Sequence, residues 1–321
     1  MANIQEIARL AGVSTATVSR VINRHPYVSD LTREKVLNII EQLDYVPNSN
    51  AKSLKNGATK VIGVMGVTYN PLLMSLVRSF HMISQKYGFN IMLFMTDGDR
   101  DKELVALEML RSKQVDALLC LVRTIEWDII ESYTKYGPIV TWQRLTSDTI
   151  PSVFMDQYQG YTLGLEYLYA RGYRKILNVY SSKGQNTLER IRAYEDFVQK
   201  HGLKNTGFPQ FHNKVTIHDG EEIARWWIEQ TDKPDAISCS TDEVAAGILT
   251  EIQRSGFSVP DDVGIMGFDN TDSAHLLDLT TIHYPVDKQA ENAFNIIMSM
   301  LENSASNLHP LQFRLIERKS T

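Results

Sequence analysis

Four carboxylates in the middle of the chain have the spacing of a calcium-binding loop. Asp97, Asp99 and Asp101 alternate with other residues, and Glu108 follows eleven positions after Asp97. Such a loop needs glycine at its sixth position for a sharp turn, but the sixth residue here is Lys102. We therefore interpret the segment as a turn between a strand and a helix, in which Asp99 caps the helix by accepting backbone hydrogen bonds.

Residue types that bind metals recur at His218, Asp219, Glu221 and Glu222. Acidic side chains are stabilised by the positive end of a helix dipole, so we interpret this group as the start of a helix. The sequence contains no GxGxxG, GxxxxGK[ST], HExxH or GxSxG motif. It therefore predicts no catalytic residue, no metal site and no cofactor.

The ionic side chains are distributed unevenly along the chain. The 321 residues include 33 Lys and Arg against 38 Asp and Glu, a formal charge of −5. Residues 1–60 hold eight basic and five acidic side chains, a balance of +3, and the rest of the chain has a balance of −8. A basic head on an acidic body indicates a head that binds an anionic partner, although chance also produces an excess of this size.

The sequence also indicates the cellular compartment. Cys120 and Cys239 are the only cysteines, and each lies in an apolar run, which indicates buried, reduced thiols. The N-terminus lacks the apolar stretch of a secretory signal, and no run approaches the length of about 18 apolar residues needed for a membrane span. We therefore expect a cytoplasmic protein that has no membrane segment.

Residues 1–46 contain three short amphipathic helical patterns. Gly12 can adopt the left-handed conformation that ends the first helix, and Ser14 can cap the second. Ser29 or Asp30 can cap the third. Two helices with a tight turn and a supporting third helix form a helix-turn-helix unit, whose second helix enters the DNA major groove. Helical spacing by itself favours a generic helical hairpin.

Residues 61–321 alternate apolar strand-like runs with amphipathic helical patterns. Nearly continuous apolar runs are typical of parallel strands that are covered on both faces. The sequence therefore predicts an α/β body of two doubly wound parallel-sheet lobes, with a late helix at 287–303 and a closing strand near 311–317. The predicted strands are 61–67, 90–96, 115–122, 138–142, 175–180, 235–240 and 263–268.

The identity of the residues, beyond their periodicity, shows a resemblance to a known family. The runs IQEIARLAGVSTATVSRVIN, VSDLTREKV, LDYVPN and AKSL resemble the head of the LacI/GalR family of bacterial transcription repressors. Later segments, among them RGYRKI, TDEVAAGIL, SGFSVPDDVGIMGFDN and RLIER, extend the resemblance over the body. It implies a periplasmic-binding-protein-like body with an effector between the lobes.

The resemblance also implies how the chain is divided. A helix-turn-helix domain would occupy 1–46, a hinge or linker helix 47–60, and an effector-binding and dimerisation domain 61–321. Within that domain, the first lobe would comprise about 61–157 plus 285–303. The second lobe would comprise about 158–284 plus 304–321.

By the same resemblance, Thr15, Ala16 and Arg20 read base edges from the second helix. The planar guanidinium of Arg20 can donate two hydrogen bonds to guanine O6 and N7, the alternative being a solvated surface charge. Contacts with the DNA backbone are implied for Thr17, Ser19 and Asn23.

The hinge is implied to fold into a helix on operator DNA, where it pairs with the hinge of a dimer partner in the minor groove. Leu54 would then wedge between central base steps and kink the duplex. An exposed leucine in a linker is the alternative interpretation. Further hinge contacts are implied for Ala51, Lys52 and Lys55, whose lysines would neutralise phosphates.

Arg190 and Asp269 are the implied effector-binding residues of the cleft. A guanidinium that donates and a carboxylate that accepts suit vicinal hydroxyls or a polar ring, although the two side chains could instead form an ion pair. Trp142 could stack on a ring or belong to the core. Weaker effector contacts are implied for Asn70, Leu72, Gln143, Arg144, Asn186 and Thr241.

The predicted function is a homodimeric, sequence-specific repressor of a carbohydrate-related operon. Its partners would be a pseudo-palindromic operator and a sugar or sugar phosphate. The segments RHPYVSD and LDYVPN resemble a catabolite-control branch in which a serine-phosphorylated phosphocarrier protein is a corepressor, which is one alternative. A sugar-metabolising enzyme with an accessory DNA-binding head is another, and the missing catalytic motifs argue against it.

The wedge role of Leu54 generates a first prediction. We expect Leu54→Ala to lose much of the preference for an operator over random DNA, because the variant cannot hold the kink that the operator permits. The operator is selected from random DNA with the wild type, and binding is measured by fluorescence anisotropy. Full preference in a normally folded variant would rule out the wedge.

Overall fold

The computed structural model describes residues 3–45, 58–67, 71–203 and 207–321. The chain divides into two compact units, Met1–Lys60 and Val61–Thr321. Five predicted contact residues lie outside the described residues, so their roles stay predictions: Ala51, Lys52, Leu54, Lys55 and Asn70.

The head contains the three predicted helices, α1 (Ile4–Ala11), α2 (Thr15–Ile22) and α3 (Asp30–Gln42). Gly12 ends α1 with a φ of 67°, in the left-handed region that glycine reaches without steric cost. The side chains of Ser14 and Ser29 cap α2 and α3 by accepting backbone N–H groups. The buried core joins all three helices through Ile7, Ala8, Ala11, Val18, Val21 and Val36.

The first lobe of the body is built on a parallel sheet with strand order β2-β1-β3-β4. Its strands and helices, in chain order, are β1 (Val61–Val67), α4 (Pro71–Lys86), β2 (Asn90–Met95), α5 (Arg100–Arg111), β3 (Ala117–Cys120), α6 (Trp127–Ser132) and β4 (Ile139–Thr141). A 3-10 turn at Thr134–Tyr136 precedes β4. Strand β2 lies at one edge of this sheet.

The second lobe has strand order β5-β6-β7-β8-β9. Its elements are α7 (Gln157–Ala170), β5 (Ile176–Val179), α8 (Gln185–Lys200), α9 (Ile217–Glu229), β6 (Ala236–Cys239), α10 (Asp242–Arg254), β7 (Gly264–Asp269), α11 (Asp272–Leu276), β8 (Thr280–His283) and β9 (Arg314–Ile316). Strands β5 to β8 are parallel, whereas β9 pairs with β8 in the antiparallel direction. The prediction of a parallel sheet is therefore confirmed for β5 to β8, and the closing strand β9, whose direction the sequence did not specify, is antiparallel at the edge.

Helix α12 (Val286–Glu302) returns the chain to the first lobe. Its buried residues Ala290, Ala293, Phe294 and Ile297 pack into the core beneath the first sheet. The chain then enters the second lobe again at β9. Three chain segments consequently connect the lobes, after β4, after β8 and before β9.

Two groups of possible metal ligands instead cap helices, as the sequence predicts. Asp99 accepts the backbone N–H groups of Asp101 and Lys102 at the start of α5. Asp219 and Thr216 exchange hydrogen bonds in a capping box at the start of α9. Within the described ranges, no cluster of three His, Cys, Asp or Glu side chains could hold a metal ion, and no helix is long and apolar enough to cross a bilayer.

Close packing of α9 on α10 generates a second prediction. A β-carbon on Gly247 would lie 2.0 Å from the backbone oxygen of Ile217, and backbone cannot move aside cheaply. We expect Gly247→Ala to lower the free energy of unfolding by about 1–3 kcal/mol, as overpacking does, measured by urea denaturation. Gly184→Ala is the control, since its nearest atom would be 3.7 Å away; equal losses would contradict the packing argument.

Candidate functional site

Helix α2 has two different faces. Val18 and Val21 are buried against the other two helices. Thr15, Ala16 and Arg20 are exposed, and one helical turn separates Ala16 from Arg20. Packing of the apolar face therefore orients the predicted base-reading residues away from the core of the head.

The polar residues of α2 differ in their availability. Thr17 shares a hydrogen bond with the Ser14 hydroxyl at 2.9 Å, and Asn23 Nδ2 donates to the backbone oxygen of Ser19 at 2.8 Å. These side chains stabilise the ends of the helix. The exposed guanidinium of Arg20 forms no salt bridge with another described residue, so its donors can reach a nucleic acid.

A cavity of about 150 Å³ lies between the lobes, at the carboxyl ends of the parallel strands. This is where α/β folds bind ligands, because the loops that follow the strands converge there. Leu72, Leu73 and Trp142 line it from the first lobe. The other lining residues are Gln157, Ser181, Ser182, Asn186, Thr187, Arg190, Ser240, Thr241, Phe268, Asp269 and Tyr284.

Arg190 is held in the cavity wall by neutral partners. Its guanidinium donates to Gln157 Oε1 at 2.7 Å and to the backbone oxygen of Ser240 at 2.9 Å. It also lies over the ring of Phe268, 4.3 Å from the centroid. Burial lowers the pKa of Arg190. Its Nε remains a buried donor with no partner among the described residues.

Asp269 ends strand β7 and is the acidic member of the predicted pair. Burial, and after it the charge of Asp242, raises the pKa of Asp269 well above its ordinary value. Its Oδ1 is buried and accepts no hydrogen bond from the described residues. Asp269 forms no salt bridge with Arg190, which is also a described residue. The structure therefore does not contain the ion pair that was the alternative interpretation of these two side chains.

Two neighbouring residues at the start of α10 have separate roles. Thr241 precedes the helix and makes no side-chain cap, so its buried hydroxyl lines the cavity without a partner. Asp242 is fully buried and accepts hydrogen bonds from Thr271 N at 2.7 Å and Thr281 Oγ1 at 2.6 Å. Burial raises the pKa of Asp242 to about 6.

Aromatic rings form the apolar part of the wall. Trp142 Nε1 donates to the backbone oxygen of Leu121 at 2.7 Å, which fixes the indole ring. The same ring lines the cavity and packs against the cores of both lobes, so Trp142 belongs to the core, and its stacking on a ligand ring stays a prediction. Phe268 and Tyr284 provide further ring surface.

Comparison with known proteins identifies both parts of the chain. Residues 3–48 match the family of bacterial regulatory proteins of the lacI type, and 165–321 match a periplasmic binding protein-like domain. The HTH-type transcriptional regulator YkvZ of Bacillus subtilis is 33% identical over the full length of both chains. The chain belongs to the LacI family.

Two further comparisons concern particular LacI-family regulators. Catabolite control protein B of Bacillus subtilis is 31% identical, over 93% of this chain and 94% of the relative. A LacI-family transcriptional regulator from Lactobacillus casei, solved with bound sucrose, is 25% identical with a TM-score of 0.74, over 81% of this chain and 99% of its own. The chain is accordingly a DNA-binding transcriptional regulator with a ligand-binding body.

The structure brings together only some of the predicted effector residues of this LacI-family regulator. Leu72, Asn186, Arg190, Thr241 and Asp269 line the cavity. Gln143 and Arg144 do not.

Arg144 faces a different part of the surface. It forms a salt bridge with Asp156 at 2.9 Å and lies over the ring of Phe154 in a separate cavity. An effector contact by Gln143 or Arg144 therefore stays a prediction without support from the cavity.

Sequence reasoning missed several lining residues. Ser181 and Ser182 follow β5, Ser240 follows β6 and Gln157 begins α7. Each lies at the carboxyl end of a strand or the amino end of a helix, where ligand-binding residues of α/β folds are found. That rule, applied to the end of each predicted strand, was the signal in the sequence that could have pointed to these residues.

Arg20 generates a third prediction. We expect Arg20→Met to lower discrimination between a selected operator and one with a substituted guanine by about 1–3 kcal/mol, since a bidentate guanine contact is lost. Binding is titrated by gel shift. Arg9→Met removes the same charge from an exposed position on α1 and should preserve the discrimination; equal losses would mean that Arg20 supplies charge alone.

Proposed function

We propose that a neutral, hydroxyl-rich sugar binds in the cavity between the lobes and controls the affinity of this regulator for its operator. Three buried polar atoms at the cavity wall carry the proposal, because they have no partner among the described residues: Arg190 Nε, Thr241 Oγ1 and Asp269 Oδ1. Buried polar groups that lack partners are costly. Ligand hydroxyls would supply the missing hydrogen bonds.

The chemistry of the wall favours a sugar. Arg190 donates and Asp269 accepts, which suits hydroxyls that do both. The rings of Trp142, Phe268 and Tyr284 offer apolar surface to the C–H face of a sugar ring. The similar regulator from Lactobacillus casei was solved with sucrose.

The charge of the wall argues against a sugar phosphate. Among its described residues the cavity has one cationic side chain, Arg190, and one acidic side chain, Asp269. The guanidinium already donates to two protein oxygens. A phosphate would therefore find little uncompensated positive charge and would lie near a carboxylate. A neutral ligand carries no charge for that carboxylate to repel.

The proposed control is thermodynamic linkage. Leu72, Leu73 and Trp142 come from the first lobe and most other lining residues from the second, so a bound sugar contacts both. It stabilises the lobe arrangement that it fits better. If that arrangement changes the separation of the two hinges at 47–60 in a dimer, operator affinity shifts by the difference in sugar affinity between the two states.

We also propose homodimerisation through the outer face of the first lobe. Edge strand β2 exposes Leu93 and Met95, and α4 exposes Met74 and Met82. Helix α4 packs against β2, so these exposed apolar side chains lie on adjoining elements, and grouped exposed apolar side chains mark an interaction surface. Two heads would double the +3 balance of the first sixty residues and present two recognition helices to a pseudo-palindromic operator.

Asp269 generates the fourth prediction. Sucrose and a panel of neutral and phosphorylated sugars are added to the full chain, and we expect neutral sugars to raise the melting temperature. At a pH above the raised pKa of Asp269, Asp269→Asn should weaken binding of the best sugar by about tenfold to a hundredfold, because a charged acceptor is lost. Isothermal titration calorimetry measures the affinity, and Asp272→Asn, an exposed neighbour, is the control.

The same carboxylate makes sugar binding depend on pH. Because the folded-state pKa of Asp269 is raised, the group is protonated at acidic pH and becomes a stronger acceptor as pH rises through that pKa. Affinity should therefore increase with pH in the wild type and depend on it less in Asp269→Asn. Equal pH dependence in the wild type and the variant would contradict this role of Asp269.

Other outcomes would identify the alternatives. Stabilisation by a serine-phosphorylated phosphocarrier protein, with no sugar effective, would replace the sugar with a protein corepressor. Preferential stabilisation by phosphorylated sugars would contradict the charge argument. Turnover of a sugar with ATP would indicate a sugar-metabolising enzyme, an activity that the regulators similar to this chain do not suggest.

A further inference from the structure

The turn after β7 has an unusual backbone. Asp269 has a φ of +115° and Asn270 a φ of +60°. Residues with a β-carbon rarely adopt positive φ, and only asparagine and aspartate tolerate the left-handed region moderately well. Two such residues in succession persist only where surrounding contacts hold them. Asp269 is also the acidic group of the effector cavity.

One side of this turn is held by Arg318, which follows β9. Its Nη2 donates to Asn270 Oδ1 at 2.7 Å, and its Nη1 donates to the backbone oxygen of Leu279 at 2.6 Å. Its own backbone N–H donates to Thr280 Oγ1 at 3.0 Å. The guanidinium is therefore anchored at the start of β8 and extends from there to the turn.

The other side of Asn270 is held by β8. Its Nδ2 lies 3.3 Å from His283 Nδ1, and its backbone N–H donates to Thr281 Oγ1 at 3.3 Å. Burial, and after it Arg314, lowers the pKa of His283, so the neutral ring can accept from the amide. Asn270 thus bridges Arg318 and β8, and both of its side-chain polar atoms are used.

We infer that Arg318 is a positioning residue for the effector: by holding Asn270 it keeps Asp269 in the backbone conformation that presents its carboxylate to the cavity. Arg318 itself does not line the cavity. The planar fork of arginine suits this role, because two acceptors on different elements need two donors of fixed geometry. The expected effect on sugar binding rests on the proposed function, whereas the effect on the turn does not.

The turn can be tested without a ligand, which is the first half of the fifth prediction. Hydrogen exchange of the full chain, followed by mass spectrometry of peptides covering 268–276, measures protection of the Asn270 and Thr271 amides. Arg318→Met should speed exchange in these peptides by at least about tenfold while distant peptides are unchanged. Unchanged protection at the turn would overturn the inference.

A neighbouring lysine provides the matched control. Lys319 is exposed on the same segment and pairs with Asp278. Lys319→Met removes one charge from the segment but no contact with Asn270, so exchange at the turn should equal that of the wild type. An equal increase in Lys319→Met would assign the effect to general loosening of the segment.

Sugar affinity forms the second half. Titration with sucrose should give about tenfold weaker binding for Arg318→Met, as expected for loss of one well-formed hydrogen bond to a positioned group. Arg318→Lys should recover part of the lost sucrose affinity. If Arg318→Met lowers the melting temperature alone, with exchange at the turn and sucrose affinity unchanged, the residue is merely structural.

A double mutant separates this link from other effects of Arg318. Asn270→Gly keeps a residue that accepts positive φ but removes the acceptor for the guanidinium. In that background Arg318→Met should add little to exchange at the turn. Additive effects would overturn the inference. A wild type that binds no sugar would defeat the proposed function, and the exchange measurements would still decide the role of Arg318.

Discussion

The floor of the cavity depends on the hydrogen bonds that the buried carboxylate of Asp242 accepts. It accepts from Thr271 in the turn after β7 and from Thr281 on β8, and it begins α10 itself. A buried carboxylate without partners would be very costly, so these elements are bound to one arrangement. Gly267 makes room for it, since a β-carbon there would lie 2.2 Å from Asp242 Oδ1. Because Thr271 follows Asp269 by two residues, the hydrogen bond from Thr271 to Asp242 also restrains the turn that begins at Asp269.

Two lobes that each have their own sheet and core suit a sensor. The chain passes between the lobes three times, and α12 belongs to the first lobe although its neighbours in sequence, β8 and β9, pair in the second. Motion at the connecting segments therefore need not break either sheet. A ligand between the lobes can favour one arrangement of the lobes over another, and a regulator can switch between two such states.

Much of the fold could be predicted because its signals are local. Gly12 and Ser14 specify the turn between α1 and α2 within three residues, and the apolar runs specify the buried strands. Strand β8 was missed because Thr280 and Thr281 interrupt its apolar pattern, and their hydroxyls bond to groups about forty residues away. The link from Arg318 to Asn270 spans 48 residues, so no local pattern could reveal it.

The two faces of α2 separate the residues that hold the head together from those predicted to contact DNA. Val18 and Val21 carry the packing, whereas Thr15, Ala16 and Arg20 are exposed. Substitutions on the exposed face therefore cost little stability, as is usual for surface positions. If these exposed residues read the operator as predicted, a gene duplicate of such a regulator can acquire a new target site through a few codon changes, without first evolving a more stable scaffold.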